Sequence, residues 1–228
     1  MSVAADQLVL DLAHRPALGA EDFLISTANQ AAAAAIDQWP HWPQASLAVV
    51  APPRAGKSHL ANVWRLKCGA ARLEARSLSE RDIALATGAL VVEDLDAGVS
   101  DERVLFHLLN LVRERKLSML LTSNVAPGEL KVTLPDLRSR LRALPIVTIS
   151  NPDDVLLKAV LVKHFADRQL VVEPHVVNYI ALRMEQSMQA AAALVAEIDR
   201  AAMSARRKVT RALAAEVLEG HDGASSAP

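Results

Sequence analysis

Cysteine is almost absent from this chain of 228 residues, and its one thiol, Cys68, excludes an internal disulfide and a cysteine-rich metal site. Charge of one sign is also lacking, because 25 lysines and arginines nearly balance 26 aspartates and glutamates. The resulting net charge of −1 does not indicate a protein that lives mainly on nucleic acid, although it leaves room for a local basic patch. No apolar run reaches membrane-spanning length, and no basic segment followed by an apolar one opens the chain. We therefore expect no membrane span, no secretory signal and a cytoplasmic location.

The residues that are abundant indicate a globular protein, because 51% are hydrophobic and 22% are charged. Up to about residue 150, short apolar runs alternate with helical patterns. Four buried strands are predicted, at 46–51, 89–94, 117–124 and 145–150. Strands that alternate with helices predict an α/β fold, in which helices flank a parallel sheet.

After residue 151 the apolar pattern is helical throughout, with helices predicted over 153–169, 174–184, 188–208 and 210–220. Thr210 is the expected N-cap of the last helix and Gly220 its expected end. The predicted organisation is a flexible N-terminal segment (1–19), an α/β domain (20–150), an all-helical domain (151–219) and a disordered tail (220–228).

The segment "APPRAGKS" (51–58) lies between a predicted strand and a predicted helix and fits the phosphate-loop pattern G-x-x-x-x-G-K-[ST], except that Ala51 replaces the first glycine. Its backbone N–H groups would face a β-phosphate, Lys57 would neutralise phosphate charge, and the Ser58 hydroxyl would bind Mg²⁺. A tight strand-to-helix turn with an exposed lysine is the alternative. The predicted nucleotide-binding residues are Arg54, Ala55, Gly56, Lys57, Ser58 and His59.

A second motif, "ALVVEDLD" (89–96), is a predicted strand that ends in three acids, Glu93, Asp94 and Asp96. Magnesium and an attacking water require carboxylates near the phosphates of a bound nucleotide. A strand that runs into an acidic turn is the alternative. Both motifs in this order, each at the end of a predicted strand, favour the nucleotide site.

With these motifs, the segments "LFHLLN" (105–110), "LLTSN" (120–124) and "LPDLRSRL" (134–141) make the chain similar to the AAA+ ATPases of the DnaA/Hda family over nearly its whole length. The resemblance implies an AAA+ P-loop NTPase fold with a C-terminal helical lid, which binds ADP or ATP and Mg²⁺. It also implies roles for individual residues: Ser58, Glu93 and Asp94 at the metal, Asn124 as sensor 1 near the γ-phosphate, and Arg140 as an arginine finger that acts in trans.

Each of these assignments has an alternative. For Asn124 the alternative is a simple turn residue at the end of a strand. The cluster of Arg138, Arg140 and Arg142 is also typical of a solvated helix face, which is the preferred interpretation of Arg138 and Arg142. Arg140 is the favoured arginine finger because a fixed guanidinium can stabilise transition-state charge on a neighbour's phosphate.

The chain departs from the family pattern at three places. Ala51 replaces a glycine, Glu93 stands where the family has a magnesium-associated aspartate, and no cation lies between Arg183 and Arg200, where the family has its sensor 2 arginine. These departures favour nucleotide binding with weak or absent hydrolysis at the chain's own site. Whether the chain is an enzyme by itself stays open.

The N-terminal peptide Gln7-Leu8-Val9-Leu10-Asp11-Leu12 resembles the family's binding motif for the DNA polymerase III sliding clamp (beta subunit). Gln7, Leu8, Leu10 and Leu12 would enter a groove on the clamp, since leucines fill apolar pockets and the glutamine amide fixes the register. Asp11 lies where the family often has proline. The alternative is a short element that packs these leucines on the chain's own core.

No room for a DNA-binding domain follows the predicted lid, so contact with DNA is expected mostly through the clamp. The implied function is negative regulation of chromosomal replication initiation: the chain would bind the clamp and stimulate hydrolysis of ATP bound to the initiator DnaA. Self-association as a homodimer or oligomer is left open. The alternatives are a self-contained AAA+ ATPase that acts as a helicase loader or remodelling factor, and an adaptor that uses no nucleotide.

Overall fold

The structure is a computed structural model that describes residues 24–205 and 207–225. The described residues divide into two compact units, the first ending at Asn151 and the second beginning at Pro152. The predicted clamp motif, Gln7–Leu12, lies outside the described residues.

In the first unit, five strands alternate with five helices over the described part of the chain. The strands are β1 (Ser46–Val50), β2 (Ala71–Glu74), β3 (Leu90–Glu93), β4 (Met119–Ser123) and β5 (Ile146–Thr148). The helices are α1 (Gln30–Asp37), α2 (Lys57–Cys68), α3 (Glu80–Leu85), α4 (Glu102–Glu114) and α5 (Pro135–Arg142).

The five strands form one parallel sheet in the order β2-β3-β4-β1-β5, which confirms the predicted fold class. Strand β1 leads through α2 to β2 on one side, whereas β4 leads through α5 to β5 on the other side of β1. The connections therefore reverse direction next to β1, and such a reversal opens a crevice at the carboxyl ends of parallel strands. The phosphate-loop segment (51–58), the acidic segment (93–96, with Glu93, Asp94 and Asp96) and Asn124 all lie at strand ends on this edge.

The two faces of the sheet bury two separate apolar clusters. Val91 and Leu120 pack with α1 and α2 on one face, whereas the next residues, Val92 and Leu121, pack with α4 and α5 on the other. Successive side chains of a strand point to opposite faces, so a sheet covered on both sides requires continuous apolar strands. This requirement is the reason that β1, β3 and β4 are visible in the sequence as apolar runs.

Strand β2 is the one that the sequence analysis missed. Three of its four residues are exposed and Leu73 is only partly buried, because β2 lies at the edge of the sheet and pairs with β3 alone. An edge strand without an apolar run gives no periodic signal. The omission matters for the site, because β2 carries Arg72.

The second unit is helical over its described residues, with α6 (Asp154–Asp167), α7 (Pro174–Ala181), α8 (Met188–Ala205) and α9 (Arg211–Ser225). Helix α6 packs on α7 and α8, and α9 packs on the same two helices. The Thr210 hydroxyl accepts a hydrogen bond from the Leu213 N–H at 3.3 Å, as expected for an N-cap. The predicted stop at Gly220 is wrong: Gly220 lacks the positive φ that ends a helix, and α9 continues to Ser225. Among the described helices, none has the length and apolar character needed to cross a membrane.

Candidate nucleotide site

The loop after β1 begins inside the core. Ala51 is 1% exposed, packs in an apolar cluster and donates its N–H to the Ser123 carbonyl at 3.1 Å. Its φ is not positive, so no glycine is required at this position. The replacement of the first glycine is therefore compatible with the loop. Positive φ occurs later, at Arg54 (63°) and at Gly56 (100°), where the absence of a side chain avoids strain.

The N-terminus of α2 presents backbone donors to this loop. The first intrahelical bond runs from the Leu60 N–H to the Gly56 carbonyl, so the N–H groups of Gly56, Lys57, Ser58 and His59 precede it. Such donors at a helix N-terminus suit an anion. Ala55, also predicted to bind the nucleotide, does not offer its N–H in the same way, because this N–H donates to the Pro52 carbonyl at 3.3 Å within the loop. Ser58 and His59 are both exposed at the start of the helix.

Lys57 joins the phosphate-loop segment to the acidic segment. Its side chain is 11% exposed, and its Nζ lies 3.3 Å from Asp94 Oδ1. Asp94 has a φ of 57° and donates its N–H to the hydroxyl of Thr122, a fully buried residue of β4, at 3.0 Å. A non-glycine residue with positive φ needs such external support. The structure thus brings these two predicted site residues together.

Glu93 is held by a residue that the sequence analysis did not identify. Glu93 is 5% exposed at the end of β3, and its Oε2 accepts a hydrogen bond from Arg72 Nη2 at 2.9 Å. The hydrogen bond and the charge of Glu93 raise the pKa of Arg72 further above its ordinary value. The pairing depends on β2 lying beside β3, with Arg72 opposite Val91 and Glu74 opposite Glu93. Only the strand order could have revealed it.

Asn124 is fixed by Asp96. The backbone N–H and the side-chain Nδ2 of Asn124 both donate to the Asp96 carboxylate, each at 2.7 Å. The remaining amide atom, Oδ1, is buried and has no hydrogen-bond partner within the described structure. A buried acceptor without a donor is costly and marks a position where a ligand or water can bind. Asp96 is thus a positioning residue that the sequence showed only as one acid among three.

The donor set at this edge fits a magnesium ion poorly. Glu93 and Asp94, the carboxylates predicted for the metal, each have a cationic partner, and Asp96 is occupied by Asn124. No group of three or more acidic, histidine or cysteine side chains suited to a metal occurs among the described residues. The Ser58 hydroxyl alone supplies too few ligands, since Mg²⁺ prefers near-octahedral oxygen coordination.

Arg140 does not lie with the other predicted site residues. It is half-buried on α5 and lines a cleft of about 680 Å³ together with Ala45 and Ser46, at the amino end of β1. The phosphate-loop segment follows the carboxyl end of the same strand, roughly 15 Å away at 3.3 Å per residue. Arg113 and Lys116 also line the cleft. In the part of the chain that the structure covers, these three cations form no ion pair.

The two neighbouring arginines on α5 have local contacts. Arg138 Nη2 donates to the Val132 carbonyl at 2.6 Å, and Arg142 lies so close to Gly128 that a Cβ there would be 2.9 Å from its Cγ. Both arginines are exposed. Arg140 differs from them because it is half-buried and lines the cleft at the amino end of β1, whereas Arg138 and Arg142 line a separate one.

The start of α5 is held by Glu102 of α4. The Glu102 carboxylate accepts hydrogen bonds from the Thr133 N–H (2.8 Å), the Thr133 hydroxyl (2.9 Å) and the Leu134 N–H (2.6 Å). Leu134 is the N-cap residue of α5 and has no side-chain acceptor of its own. The hydrogen bond from the Thr133 N–H contributes most to the pKa of Glu102, which it lowers below its ordinary value. Glu102 thus fixes the helix that carries Arg140.

Comparison with known proteins adds independent information on both units. Residues 154–218 match the Hda lid domain. Domain III of the Thermotoga maritima replication initiation protein DnaA aligns with 88% of this chain and 95% of its own, at 16% identity and a TM-score of 0.75. A replication initiator DnaA bound to AMPPCP and single-stranded DNA aligns with 78% of this chain and 63% of its own, at 16% identity and a TM-score of 0.63.

The same fold occurs in the Thermotoga maritima RuvB Holliday junction branch migration motor, which aligns with 76% of this chain and 61% of its own, at 15% identity and a TM-score of 0.63. No match was found among curated protein sequences. At these identities the solved structures establish the fold, whereas the lid is assigned by its sequence. The chain therefore carries an Hda-type lid sequence over residues 154–218, and its α/β unit is similar in fold to domain III of DnaA.

Proposed function

We propose that this chain is a negative regulator of chromosomal replication initiation, which stimulates hydrolysis of the ATP bound to the initiator DnaA. The observation that carries the proposal is the position of Arg140 in a protein with an Hda-type lid. Arg140 lies at the sheet edge opposite its own phosphate-loop segment and has no ion-pair partner among the described residues. A guanidinium in this position is suited to a neighbour's nucleotide, where arginine fingers accelerate phosphoryl transfer.

The chain's own site is proposed to hold ADP or ATP rather than to turn over ATP rapidly. The donors at the start of α2 and the nearby Lys57 favour binding of phosphates. Hydrolysis is expected to be weak because Glu93 is engaged by Arg72 and Asn124 by Asp96. The bound nucleotide would stabilise the fold and the surface that meets DnaA.

The N-terminal peptide is proposed to bind the DNA polymerase III sliding clamp. Gln7, Leu8, Leu10 and Leu12 would lie in an apolar groove of the beta subunit, which would bring the chain to DNA indirectly. Removal of residues 1–12 should abolish capture of the chain by immobilised clamp. Capture at wild-type strength would contradict this part of the proposal.

The test of the proposal is the rate of ATP hydrolysis by DnaA in the presence of the chain, clamp and DNA. Arg140→Ala should reduce the stimulation by on the order of 10³-fold, the lower range for loss of an arginine finger. Arg142→Ala is the matched control, because Arg142 lies on the same turn of α5 and outside the cleft. Equal stimulation by Arg140→Ala and wild type would refute the finger assignment. Rapid ATP turnover by the isolated chain, lost in Lys57→Ala, would instead favour a self-contained ATPase such as a helicase loader.

A further inference from the structure

The Arg72–Glu93 pair lies where a nucleotide site of this fold would use a free carboxylate. Glu93 is 5% exposed, and its carboxylate is 2.9 Å from the Arg72 guanidinium, whose side chain is 54% exposed at the sheet edge. Arg72 also lies 3.8 Å from Glu74 on its own strand. The Arg72 guanidinium is thus closer to the buried Glu93 than to the exposed Glu74.

We propose that Arg72 serves as a built-in cation at Glu93, so that this site binds adenine nucleotide with little dependence on Mg²⁺. The inference rests on the proposed nucleotide binding and specifies its chemistry: the positive charge that faces the phosphates comes from the chain itself. Lys57 supplies it at the phosphate loop, and Arg72 neutralises the acid that would otherwise attract a divalent ion.

The physical reason is competition for one carboxylate. A guanidinium that donates to a carboxylate at this distance forms a charge-assisted hydrogen bond, which is stronger than a neutral one. Magnesium gives up its water reluctantly and requires near-ideal octahedral geometry. To hold the ion, Glu93 would have to leave Arg72, and the guanidinium would lose its closest acidic partner. Recruitment of the metal therefore carries a cost that an unpaired acid would not impose.

The other acids do not offer a replacement. Asp94 is 3.3 Å from Lys57 Nζ, the group expected to meet the phosphates, and Asp96 accepts two hydrogen bonds from Asn124. Release of Asp94 would take from Lys57, which is 11% exposed, the carboxylate that lies 3.3 Å from its Nζ. All three carboxylates at this edge are thus engaged by groups of the chain itself.

The experiment is calorimetric titration of the full-length chain with ADP and with ATP, each in excess Mg²⁺ and in excess EDTA. For wild type we expect the two dissociation constants to differ by less than about threefold for each nucleotide. In Arg72→Ala, the dissociation constant in EDTA should exceed that in Mg²⁺ by about tenfold or more, because the substitution frees Glu93 for the metal. Arg76→Ala is the matched control, an exposed arginine on the segment that follows β2, and should behave as wild type.

Glu93→Gln provides a second arm that does not depend on the folding of Arg72→Ala. The amide removes the charge that would hold Mg²⁺, so the ratio should stay within about threefold, as in wild type. A wild-type affinity that falls about tenfold or more on removal of Mg²⁺, with the difference lost in Glu93→Gln, would overturn the inference. A folded Arg72→Ala without increased metal dependence would also overturn it. Absence of binding in both buffers would refute the proposed nucleotide site itself, which separates the two failures.

Discussion

Glu102 is predicted to stabilise the start of α5 and therefore the position of Arg140. Its carboxylate accepts hydrogen bonds from the Thr133 N–H, the Thr133 hydroxyl and the Leu134 N–H. An N-cap side chain normally accepts such bonds, but here the acceptor belongs to a neighbouring helix. Loss of an N-cap acceptor typically costs about 0.5–2 kcal/mol. Glu102 is charged and accepts three hydrogen bonds, which places the cost of Glu102→Ala in the upper part of this range. Because the side chain is partly exposed, water can replace some of these bonds in the variant, so we expect a loss of about 1–2 kcal/mol and no more.

The assay is urea unfolding at neutral pH, supported by thermal unfolding. A loss of 1–2 kcal/mol should lower the midpoint temperature by about 2–8 °C in a chain of this size. Glu114→Gln is the control, since Glu114 is an exposed acid at the other end of α4, and should change stability by less than about 0.5 kcal/mol. Glu102→Ala should also reduce stimulation of DnaA more than the control does.

The pH dependence tests the same contact. The hydrogen bond from the Thr133 N–H lowers the pKa of Glu102 in the folded chain, so the stabilisation is fully present above the unfolded pKa of about 4.3 and is lost as pH falls through the lowered value. The difference in unfolding free energy between wild type and Glu102→Gln should therefore be constant near neutral pH and shrink below about pH 4. Unaltered stability of Glu102→Ala, or a difference that does not change with acid, would refute this account of α5.

Three further predictions concern other contacts. In urea unfolding, Trp64→Phe should lower the free energy of unfolding by about 1 kcal/mol and Trp42→Phe by about 2 kcal/mol. The difference is expected because the buried Trp64 Nε1 has no hydrogen-bond partner in the described structure, whereas Trp42 Nε1 donates to the Ala35 carbonyl. A larger loss for Trp64→Phe would contradict this. Burial raises the pKa of the Cys68 thiol, so iodoacetamide should modify the folded chain more slowly than the urea-unfolded chain at pH 8, and equal rates would exclude a protected thiol. ADP should raise the melting temperature of wild type and not of Lys57→Ala, since a ligand that binds only the folded state stabilises it.

The sequence was informative wherever burial produces a pattern. Strands with both faces covered are continuously apolar, so β1, β3 and β4 were predictable, as was the fold class. Strand β5 lies at an edge of the sheet and is partly exposed, but its residues Ile146 and Val147 are still apolar and made it visible in the sequence. Edge strand β2 has no such pattern, and the Arg72–Glu93 pair was therefore invisible: it requires the knowledge that β2 lies beside β3. Gly220 shows the opposite error, since a glycine permits a helix to end without requiring it.

The candidate site was predictable in its residue types but not in its contacts. The order of motifs placed Lys57 and Asp94 near one another, and the structure shows them 3.3 Å apart. The orientation of Asn124 depends on Asp96, a residue 28 positions earlier, and no spacing rule encodes this pair. Contacts of this kind depend on the turns that follow neighbouring strands, and these turns become adjacent only in the folded sheet.

The most direct test of the central claim is to determine whose ATP is cleaved. DnaA preloaded with radiolabelled ATP would be mixed with the chain carrying unlabelled nucleotide, in the presence of clamp and DNA, and the reciprocal labelling would be performed in parallel. The account predicts that the label bound to DnaA becomes ADP, that the label bound to this chain stays largely intact, and that Arg140→Ala prevents the first conversion. Cleavage of the label on this chain, with the ATP on DnaA untouched, would contradict it.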